Sequence, residues 1–185
     1  MLQLNGAMSH SQLPPLPVVA TSSELNELLE KIEIEKEIAV DIESNGFYVY
    51  HEKVCLLQLS TRKEDFIIDP ISVEDLSPLK RIFADPATEK VFHAGDYDIG
   101  CLKRDYGFTV SNVFDTMIAS RLLGTPKLGL AYAIEKYFGI HISKKLQRAH
   151  WGKRPLSTEQ LQYARLDTHY LLRLRDILHQ ELRAP

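Results

Sequence analysis

The sequence predicts an α/β fold with a mixed five-stranded sheet flanked by helices, in which an antiparallel meander is followed by parallel strands. Three strand-like runs, at 38–43, 54–60 and 65–69, follow one another with short connections that leave no room for a crossover helix. Two further runs, at 90–93 and 112–114, alternate with helical segments, which indicates right-handed parallel crossovers. The length of 185 residues and the 44% hydrophobic content fit one domain with a substantial core.

The N-terminal segment differs in composition from the rest of the chain. Residues 1–17 are polar and then proline-rich, which favours a flexible extended arm, so we expect the folded domain to span residues 18–185. Thr21 and Glu24 then form a capping box. Four apolar residues follow at helical spacing and predict an amphipathic helix: Leu25, Leu28, Leu29 and Ile32.

Five more helices are predicted from spacing and from start and stop signals, at 73–83, 96–106, 116–123, 128–138 and 157–182. Gly124 and Gly139 stand where the residue after a helix belongs. Ser157 opens the last helix as part of a second capping box. Asp96 and Asp115 are predicted as caps of the helices that they precede.

Composition limits the possible functions. The formal net charge of −3 gives no basic footprint, so binding to nucleic acid would require a local patch or bound metal. Cys55 and Cys101 lack C-x-x-C spacing and are predicted to be buried free thiols in a reducing compartment. The N-terminus lacks a signal-peptide pattern and no run of 18 apolar residues occurs, so we expect a cytoplasmic protein with no membrane partner. The pattern gives no indication of oligomeric state.

Two acids lie two residues apart on the first strand. Asp41 and Glu43 therefore emerge on the same side of the sheet, roughly 6–7 Å apart along the strand. Adjacent acids repel each other, and in an apolar setting a hard divalent ion such as Mg²⁺ would relieve that repulsion. An edge strand with two solvated acids explains the same pattern, so the metal hypothesis depends on whether other acids converge here.

Two further acids are placed to converge with this pair. Asp167 interrupts an apolar stripe on the last helix, formed by Tyr163, Tyr170, Leu174, Ile177 and Leu178. A carboxylate in that stripe needs either a metal or a salt bridge, for example to Arg121 or Arg165. Asp98 lies one turn into the helix that follows strand 90–93, where it can face the strand that carries Asp41.

The order of these residues resembles the DEDDy 3′–5′ exonucleases, in particular the ribonuclease D family, including the ribonuclease D-like subunit of the RNA exosome. Four acids and a tyrosine in this order are far more specific than one pair of acids. The resemblance covers about residues 20–182 and implies a ribonuclease H-like fold. It rests on the blocks Asp41-x-Glu43, His93-Ala-x-x-x-Asp98, Phe114-Asp115-Thr116, Trp151-x-x-Arg154-Pro155 and Tyr163-x-x-x-Asp167. One departure is His150, which stands before the tryptophan where the family usually has aspartate.

The resemblance implies hydrolysis of RNA from its 3′ end to nucleoside 5′-monophosphates, in RNA processing or decay, with two divalent cations, Mg²⁺ or Mn²⁺. It implies that Asp41 bridges both ions, that Glu43 and Asp167 complete the first site, and that Asp98 holds the second. Tyr163 would orient the attacking water, since a phenol with a pKa of about 10 is a poor general base at neutral pH.

Candidate substrate contacts follow from composition and position. Five basic residues surround Trp151, which suits phosphate contacts and base stacking on a single strand, although a solvated loop has the same composition: Lys144, Lys145, Arg148, Lys153 and Arg154. Ile42, Asn45 and His93 are further substrate-binding candidates, with a turn role for the asparagine and a core role for the histidine as alternatives. The expected partner is single-stranded RNA with a free 3′ end, short oligonucleotides included.

Two other functions remain open on the same residues. One is a 3′–5′ DNA exonuclease of the proofreading or Werner type. The other is a degenerate exonuclease fold that serves as a nucleic-acid-binding module. The presence of all four acids and Tyr163 argues against the module, because a scaffold has no need to keep mutually repelling carboxylates together.

Overall fold

The computed structural model describes residue 16 and residues 18–184. The predicted arm over 1–17 lies outside these residues except for Leu16, which packs against the core. Within the described part of the chain, no helix is both long and apolar enough to span a bilayer. The elements, in chain order, are β1 (Val18–Val19), α1 (Ser22–Ile32), β2 (Glu37–Ser44), β3 (Val54–Ser60), β4 (Asp65–Ile68), α2 (Leu79–Ala84), β5 (Glu89–Phe92), α3 (Asp96–Tyr106), β6 (Val113–Asp115), α4 (Thr116–Leu122), α5 (Leu130–Phe138), α6 (Thr158–His169) and α7 (Leu171–Arg183).

The strands form one mixed sheet in the order β1-β4-β3-β2-β5-β6. The meander β2-β3-β4 is antiparallel, and β5 and β6 add in parallel beside β2, which confirms the predicted topology. The predicted count of five strands is wrong, because Val18 and Val19 pair in parallel with Ile67 and Ile68. A strand of two residues after a proline-rich segment is too short to show an alternating pattern.

Helices cover both faces of the sheet. The side chains of Ile38, Val40 and Ile42 enter a core shared with α1, α2 and α3. Ala39, between them, packs instead in the core of the opposite face, beside α7. Because strand side chains alternate, Asp41 and Glu43 lie on the same face as Ala39, beneath the C-terminal helices.

Local signals predicted several helix ends correctly. Thr21 and Ser157 both cap their helices through complete capping boxes. Gly124 and Gly139 have φ angles of 71° and 70°, the left-handed conformation expected after a helix. Cys55 and Cys101 are free and buried, as predicted.

The predicted helix over 73–83 is much shorter in the structure, where only Leu79–Ala84 is helical. Pro78 lacks an amide proton and disfavours helical backbone at Ser77, so a helix that started at Val73 could not run through it. Val73 and Leu76 are buried all the same, which explains their helix-like apolar spacing.

The predicted final helix is in fact two helices, which meet at Tyr170. Helix α6 packs across β2, β3 and β4, whereas α7 packs on β2, β5 and α4. A twisted sheet presents these strands at different angles, so two helices follow its surface better than one straight helix. Apolar spacing continues through the junction, and for this reason the sequence does not reveal the break.

Polar contacts hold α6 against the sheet. Asp65 of β4 accepts hydrogen bonds from Arg165 at 2.6 Å and from His169 at 2.8 Å. Burial acts to raise the pKa of Asp65, but the bonds from His169, Ser60 and Arg165 outweigh it and lower the pKa. The hydroxyls of Ser60 and Thr168 share a buried hydrogen bond of 2.7 Å. These contacts fix the helix that carries Asp167.

The loop before α6 is fixed by Arg154. Its guanidinium contacts both carboxylate oxygens of Asp69 at 2.7 Å and donates to the carbonyls of Cys55 at 2.8 Å and Trp151 at 2.7 Å. The prediction that Arg154 contacts RNA phosphate is therefore wrong, because its hydrogen-bonding groups are used inside the protein. Its signal was ambiguous, since a structural arginine and a phosphate ligand look alike in sequence.

We predict that Arg154→Ala lowers the free energy of unfolding by about 2–4 kcal/mol, because it leaves Asp69 buried without its cation. The effect is below that of a fully buried pair, since 25% of the Arg154 side chain is exposed. Urea unfolding measures the change. The matched control is Lys153→Ala, an exposed neighbour that should change stability by less than about 0.5 kcal/mol. Equal stability of the two variants would contradict the anchoring role.

Candidate active site

The first two acids stand where the sheet opens. The parallel pairing of β2 with β5 ends at Ala39 and Val91, so the carboxyl end of β2 runs on without a neighbour on that side. Asp41 and Glu43 occupy this free end, the position where α/β sheets bind ligands. The register with β3 shifts directly after Glu43, an irregularity of the kind that bends a strand.

Helix α6 brings the third acid to the same place. Asp41, Glu43 and Asp167 each offer a carboxylate oxygen, and the three oxygens lie within 4.8 Å of one another. The alternative of a salt bridge to Arg165 is wrong, because Arg165 pairs with Asp65. Among the residues that the structure describes, no cation forms a salt bridge with the three acids.

The fourth acid comes from the first turn of α3. Asp98 is only 8% exposed, and its charge raises the pKa values of Asp41, Glu43 and Asp167. Its carboxylate therefore faces the acids on β2 and α6, as the sequence predicted. The structure thus brings together all four predicted acids.

Asp115 positions that turn. As predicted, it caps α4 by accepting hydrogen bonds from the amides of its first turn. It also accepts from the amides of Ala94 at 3.2 Å and Gly95 at 2.8 Å, just before α3. The prediction that Asp96 caps α3 is wrong, because Gly95 is the N-cap residue and has no side chain with which to cap the helix. Ala94, with a φ of 63°, is held in a left-handed conformation by this contact.

Burial raises the pKa values of all four acids, and repulsion from nearby carboxylates adds to it, from Asp115 in the case of Asp98. For Glu43 burial contributes most, followed by the charges of Asp167 and Asp98, and the pKa rises to about 9. Burial likewise raises the pKa values of Asp98 and Asp167 to about 7, and that of Asp41 well above its usual range. Four buried carboxylates are unstable when all are ionised, so such a cluster either keeps protons or binds a divalent cation.

Tyr163 lies one turn before Asp167 on α6. Burial, and then the charges of Asp167, Glu43 and Asp41, raise the pKa of its phenol. The hydroxyl therefore stays protonated at neutral pH, so it can donate a hydrogen bond but cannot act as a base. The ring of Trp151 packs behind it, with the centroids 6.0 Å apart.

Two cavities meet at these acids. The first, of about 420 Å³, contains Asp41, Tyr163 and Asp167, and the second, of about 610 Å³, contains Asp98. Ile42, Glu43 and Gln147 line both of them. Together the cavities form one groove, with the acids along its floor.

The fold and this site match known proteins. Residues 17–183 match the 3′–5′ exonuclease family. The chain belongs to this family. It is 44% identical over 165 residues to the exosome complex exonuclease RRP6 of Saccharomyces cerevisiae, a match that covers 89% of this chain and 22% of that protein. It therefore spans about a fifth of the length of the curated relatives that it matches.

Solved structures agree with the family. The crystal structure of Escherichia coli RNase D, an exoribonuclease involved in structured RNA processing, superimposes with a TM-score of 0.85 at 32% identity, over 90% of this chain and 44% of that one. Brucella melitensis NrnC with bound Mg²⁺ has a TM-score of 0.72 at 29% identity, over 80% and 74% of the two chains. NrnC bound to pGG has a TM-score of 0.76 at 26% identity, over 90% and 82%.

The remaining predicted residues of this exonuclease site do not all face the groove. The stacking role predicted for Trp151 is wrong, because its side chain is 1% exposed and packs with Leu56, Ile67 and Ala164. Asn45 takes the turn role, since its side chain accepts a hydrogen bond of 2.8 Å from the Lys53 amide. An aromatic residue in a basic loop gives the same sequence signal whether it is buried or exposed.

Two of the substrate candidates do line the groove. His93 faces the first cavity, and its Nδ1 lies 2.9 Å from the Thr116 hydroxyl. Burial lowers the pKa of His93 and favours the neutral ring. Ile42 buries its side chain in the core of the opposite face, so only its backbone is available to a substrate.

We predict that the melting temperature of the metal-free exonuclease domain falls as the pH rises from about 6 to about 9. In the unfolded chain Asp98, Asp167 and Glu43 ionise near 3.8 or 4.5, but in the folded chain near 7 or 9. The folded state therefore holds more protons, and its stability is lost as the pH rises. His93, whose pKa is lowered, contributes a smaller change of opposite sign.

Scanning calorimetry with a chelator present checks this prediction. Asp98→Asn should show a shallower decline with pH than the wild type, because one of the shifted groups no longer titrates. A metal-free melting temperature that stays constant or rises over this window would show that the four carboxylates are not crowded as described.

Proposed function

We propose that this chain is the catalytic domain of a 3′–5′ exoribonuclease that uses two divalent cations and acts on single-stranded RNA ends. The observation that carries the proposal is the convergence of Asp41, Glu43, Asp98 and Asp167 with no salt bridge to a cation among the described residues. Such a cluster is unfavourable unless ions neutralise it. The membership of the 3′–5′ exonuclease family supports the same reaction.

The donor set fits Mg²⁺ or Mn²⁺. Both ions prefer carboxylate oxygens, and Asp41, Glu43 and Asp167 each offer one within 4.8 Å of the others. Asp98 would complete the second site, with Asp41 shared between the two. Ions bound in this way activate the attacking water and stabilise the leaving oxygen of a phosphodiester. The structure of NrnC with bound Mg²⁺ supports this choice of ion.

The protein side chains determine the position and orientation of the reactants. Tyr163 holds its phenolic proton and so can donate a hydrogen bond to the attacking water or to a phosphate oxygen. Trp151 packs against the ring of Tyr163 and keeps it in place. The backbone of Ile42 and Glu43, at the junction of the two cavities, is suited to contact the terminal sugar. His93 lines the first of these cavities as well.

Cations and an aromatic ring extend the groove beyond the acids. Lys144 lines the first cavity and Arg148 the second. Phe47 is 70% exposed, and the Arg148 guanidinium lies 5.4 Å from the centre of its ring. Exposed aromatic rings beside cations bind single strands by stacking on bases and by contacts with phosphates. This local patch supplies the positive charge for binding a polyanion, which the net charge of −3 does not provide.

RNA is the substrate that the comparisons support. E. coli RNase D, which shares this fold at 32% identity, is an exoribonuclease. The pGG complex of NrnC supports short oligonucleotides among the substrates. The DNA exonuclease and the non-catalytic binding module are not favoured by these relatives. The cytoplasmic location expected from the sequence stays a prediction.

We predict that the protein with Mg²⁺ or Mn²⁺ shortens 5′-labelled single-stranded RNA stepwise from its 3′ end and releases nucleoside 5′-monophosphates. A 3′-phosphate should block the reaction, since it would place a bulky charged group at Ile42 and Glu43, where the terminal sugar is proposed to bind. Asp41→Asn should lose at least about 1000-fold in rate, because Asp41 would be a ligand at both of the proposed ion sites. Denaturing gels measure the products, with matched DNA as the comparison strand. Cleavage of circular RNA would reveal an endonuclease and overturn the proposal.

We predict that Tyr163→Phe lowers the turnover rate about 10–1000-fold, or roughly 1.4–4 kcal/mol of transition-state stabilisation. The substitution keeps the ring that packs on Trp151 and removes only the hydroxyl. Stabilisation by Mn²⁺ should stay unchanged, because the hydroxyl is not needed to hold an ion. Single-turnover kinetics and thermal shift measure the two effects.

Tyr137→Phe is the matched control for this experiment. Its hydroxyl bonds Glu181 at 2.9 Å, on α7 and away from the groove. This variant should cleave RNA at the wild-type rate. If Tyr163→Phe also cleaves at that rate, Tyr163 is a packing residue with no part in the reaction.

A further inference from the structure

Gln58 is a buried polar residue without a partner. Its side chain is 0% exposed at the centre of β3, and neither Nε2 nor Oε1 has a hydrogen-bond partner among the described residues. Buried side-chain amides almost always bond at least once, and an exception calls for an explanation. The neighbouring Ser60, on the same face of the same strand, is by contrast fully bonded to Asp65 and Thr168.

The position of Gln58 points to an explanation. It is the antiparallel partner of Asp41 in the β2–β3 ladder. Directly opposite residues point to the same face, with Cβ atoms about 4.5–5.5 Å apart. A glutamine side chain is long enough to cross that gap, so its amide can reach the Asp41 carboxylate through a change of side-chain torsion alone.

Asp41 lacks a side-chain donor elsewhere. It faces the charges of Asp98, Asp167 and Glu43, and within the described residues no side chain donates a hydrogen bond to it. A lysine or arginine at this place would occupy the carboxylate and compete with a metal ion. A neutral amide can orient one carboxylate oxygen while it leaves the other oxygen and the negative charge available.

Trp151 supplies the second half of the arrangement. Its indole Nε1 is the other buried side-chain atom without a partner in the described part of the chain. The ring packs with Leu56 and Ile67. These two residues flank Gln58, since Leu56 lies two residues earlier on the same face of β3 and Ile67 is the partner of Gln58 on β4. The indole N–H can only donate, and Gln58 Oε1 can only accept.

We propose that Gln58 is a positioning residue for Asp41. Its Nε2 donates to the Asp41 carboxylate when a metal ion holds that group ionised, and Trp151 Nε1 donates to Gln58 Oε1 and so fixes which way the amide faces. The buried Trp151 thereby serves the reaction through Gln58, from the same face of the sheet as Asp41. This role rests on the proposed function, because it concerns a residue assigned there as a metal ligand.

Gln58→Met tests the proposal, since methionine is similar in length and removes both polar atoms. The Mn²⁺ concentration that gives half of the full thermal stabilisation should rise about 10–100-fold, the range found when partners of metal ligands are removed. The metal-free melting temperature should stay the same or rise, because two unpartnered buried polar atoms are gone. In kinetic assays at saturating Mn²⁺, kcat should fall while KM for RNA changes little.

Ser60→Ala is the matched control. It removes a buried polar group on the same strand and face, and it breaks the contacts with Asp65 and Thr168. We expect a lower metal-free melting temperature with a Mn²⁺ midpoint within about twofold of the wild type. Gln58→Met should therefore change the Mn²⁺ midpoint, whereas Ser60→Ala should change the metal-free melting temperature. A purely structural role for Gln58 would not produce this difference.

Trp151→Phe tests the second hydrogen bond and decides the matter if Gln58→Met does not fold. It removes Nε1 and should raise the Mn²⁺ midpoint by about threefold or more. A wild-type protein with no stabilisation by Mn²⁺ would overturn the metal site itself. If the wild type is stabilised and both variants keep its midpoint within about twofold, the metal site stands and the positioning role is wrong.

Discussion

The crowding of four carboxylates is the constraint on which the rest of this structure depends. Asp41 and Glu43 come from β2, Asp98 from α3 and Asp167 from α6, so three elements must hold like charges together against their repulsion. Burial adds to that cost and raises all four pKa values. A site of this kind persists only where the surrounding fold fixes each element independently.

The fixing contacts are ion pairs and hydrogen bonds that lie just outside the groove. Asp65 binds Arg165 and His169 and holds α6, while Asp115 binds the turn before α3 and holds the helix of Asp98. Asp65 has cationic partners and Asp115 has backbone amide donors, whereas no cation among the described residues forms a salt bridge with the four acids. The protein thus stabilises its scaffold with satisfied charges and keeps the unsatisfied ones at the place where divalent ions can bind.

The sequence predicted the parts of this arrangement that follow from short spacing. Asp41 and Glu43 at i, i+2, the capping boxes of α1 and α6, and the helix of Asp98 are all local patterns. The contacts of Asp115 with residues 94–95 and of Arg154 with Asp69 join residues far apart in the chain, and no local period encodes them. Trp151 was misplaced for the same reason, because its burial depends on β3 and β4, strands that lie far from it in the chain.

Charge also links the two events that the proposed reaction requires. The floor of the groove carries four acids, and a phosphate that enters it without metal would meet like charge at short range. Lys144 and Arg148 stand at the sides of the groove, where they can draw in a polyanion but cannot neutralise the floor. The Tyr48 hydroxyl donates a hydrogen bond of 2.7 Å to the backbone carbonyl of Arg148 and so helps to hold that residue in place. Divalent ions are the groups that make the floor attractive to phosphate, so the binding of metal and of RNA should strengthen each other reciprocally.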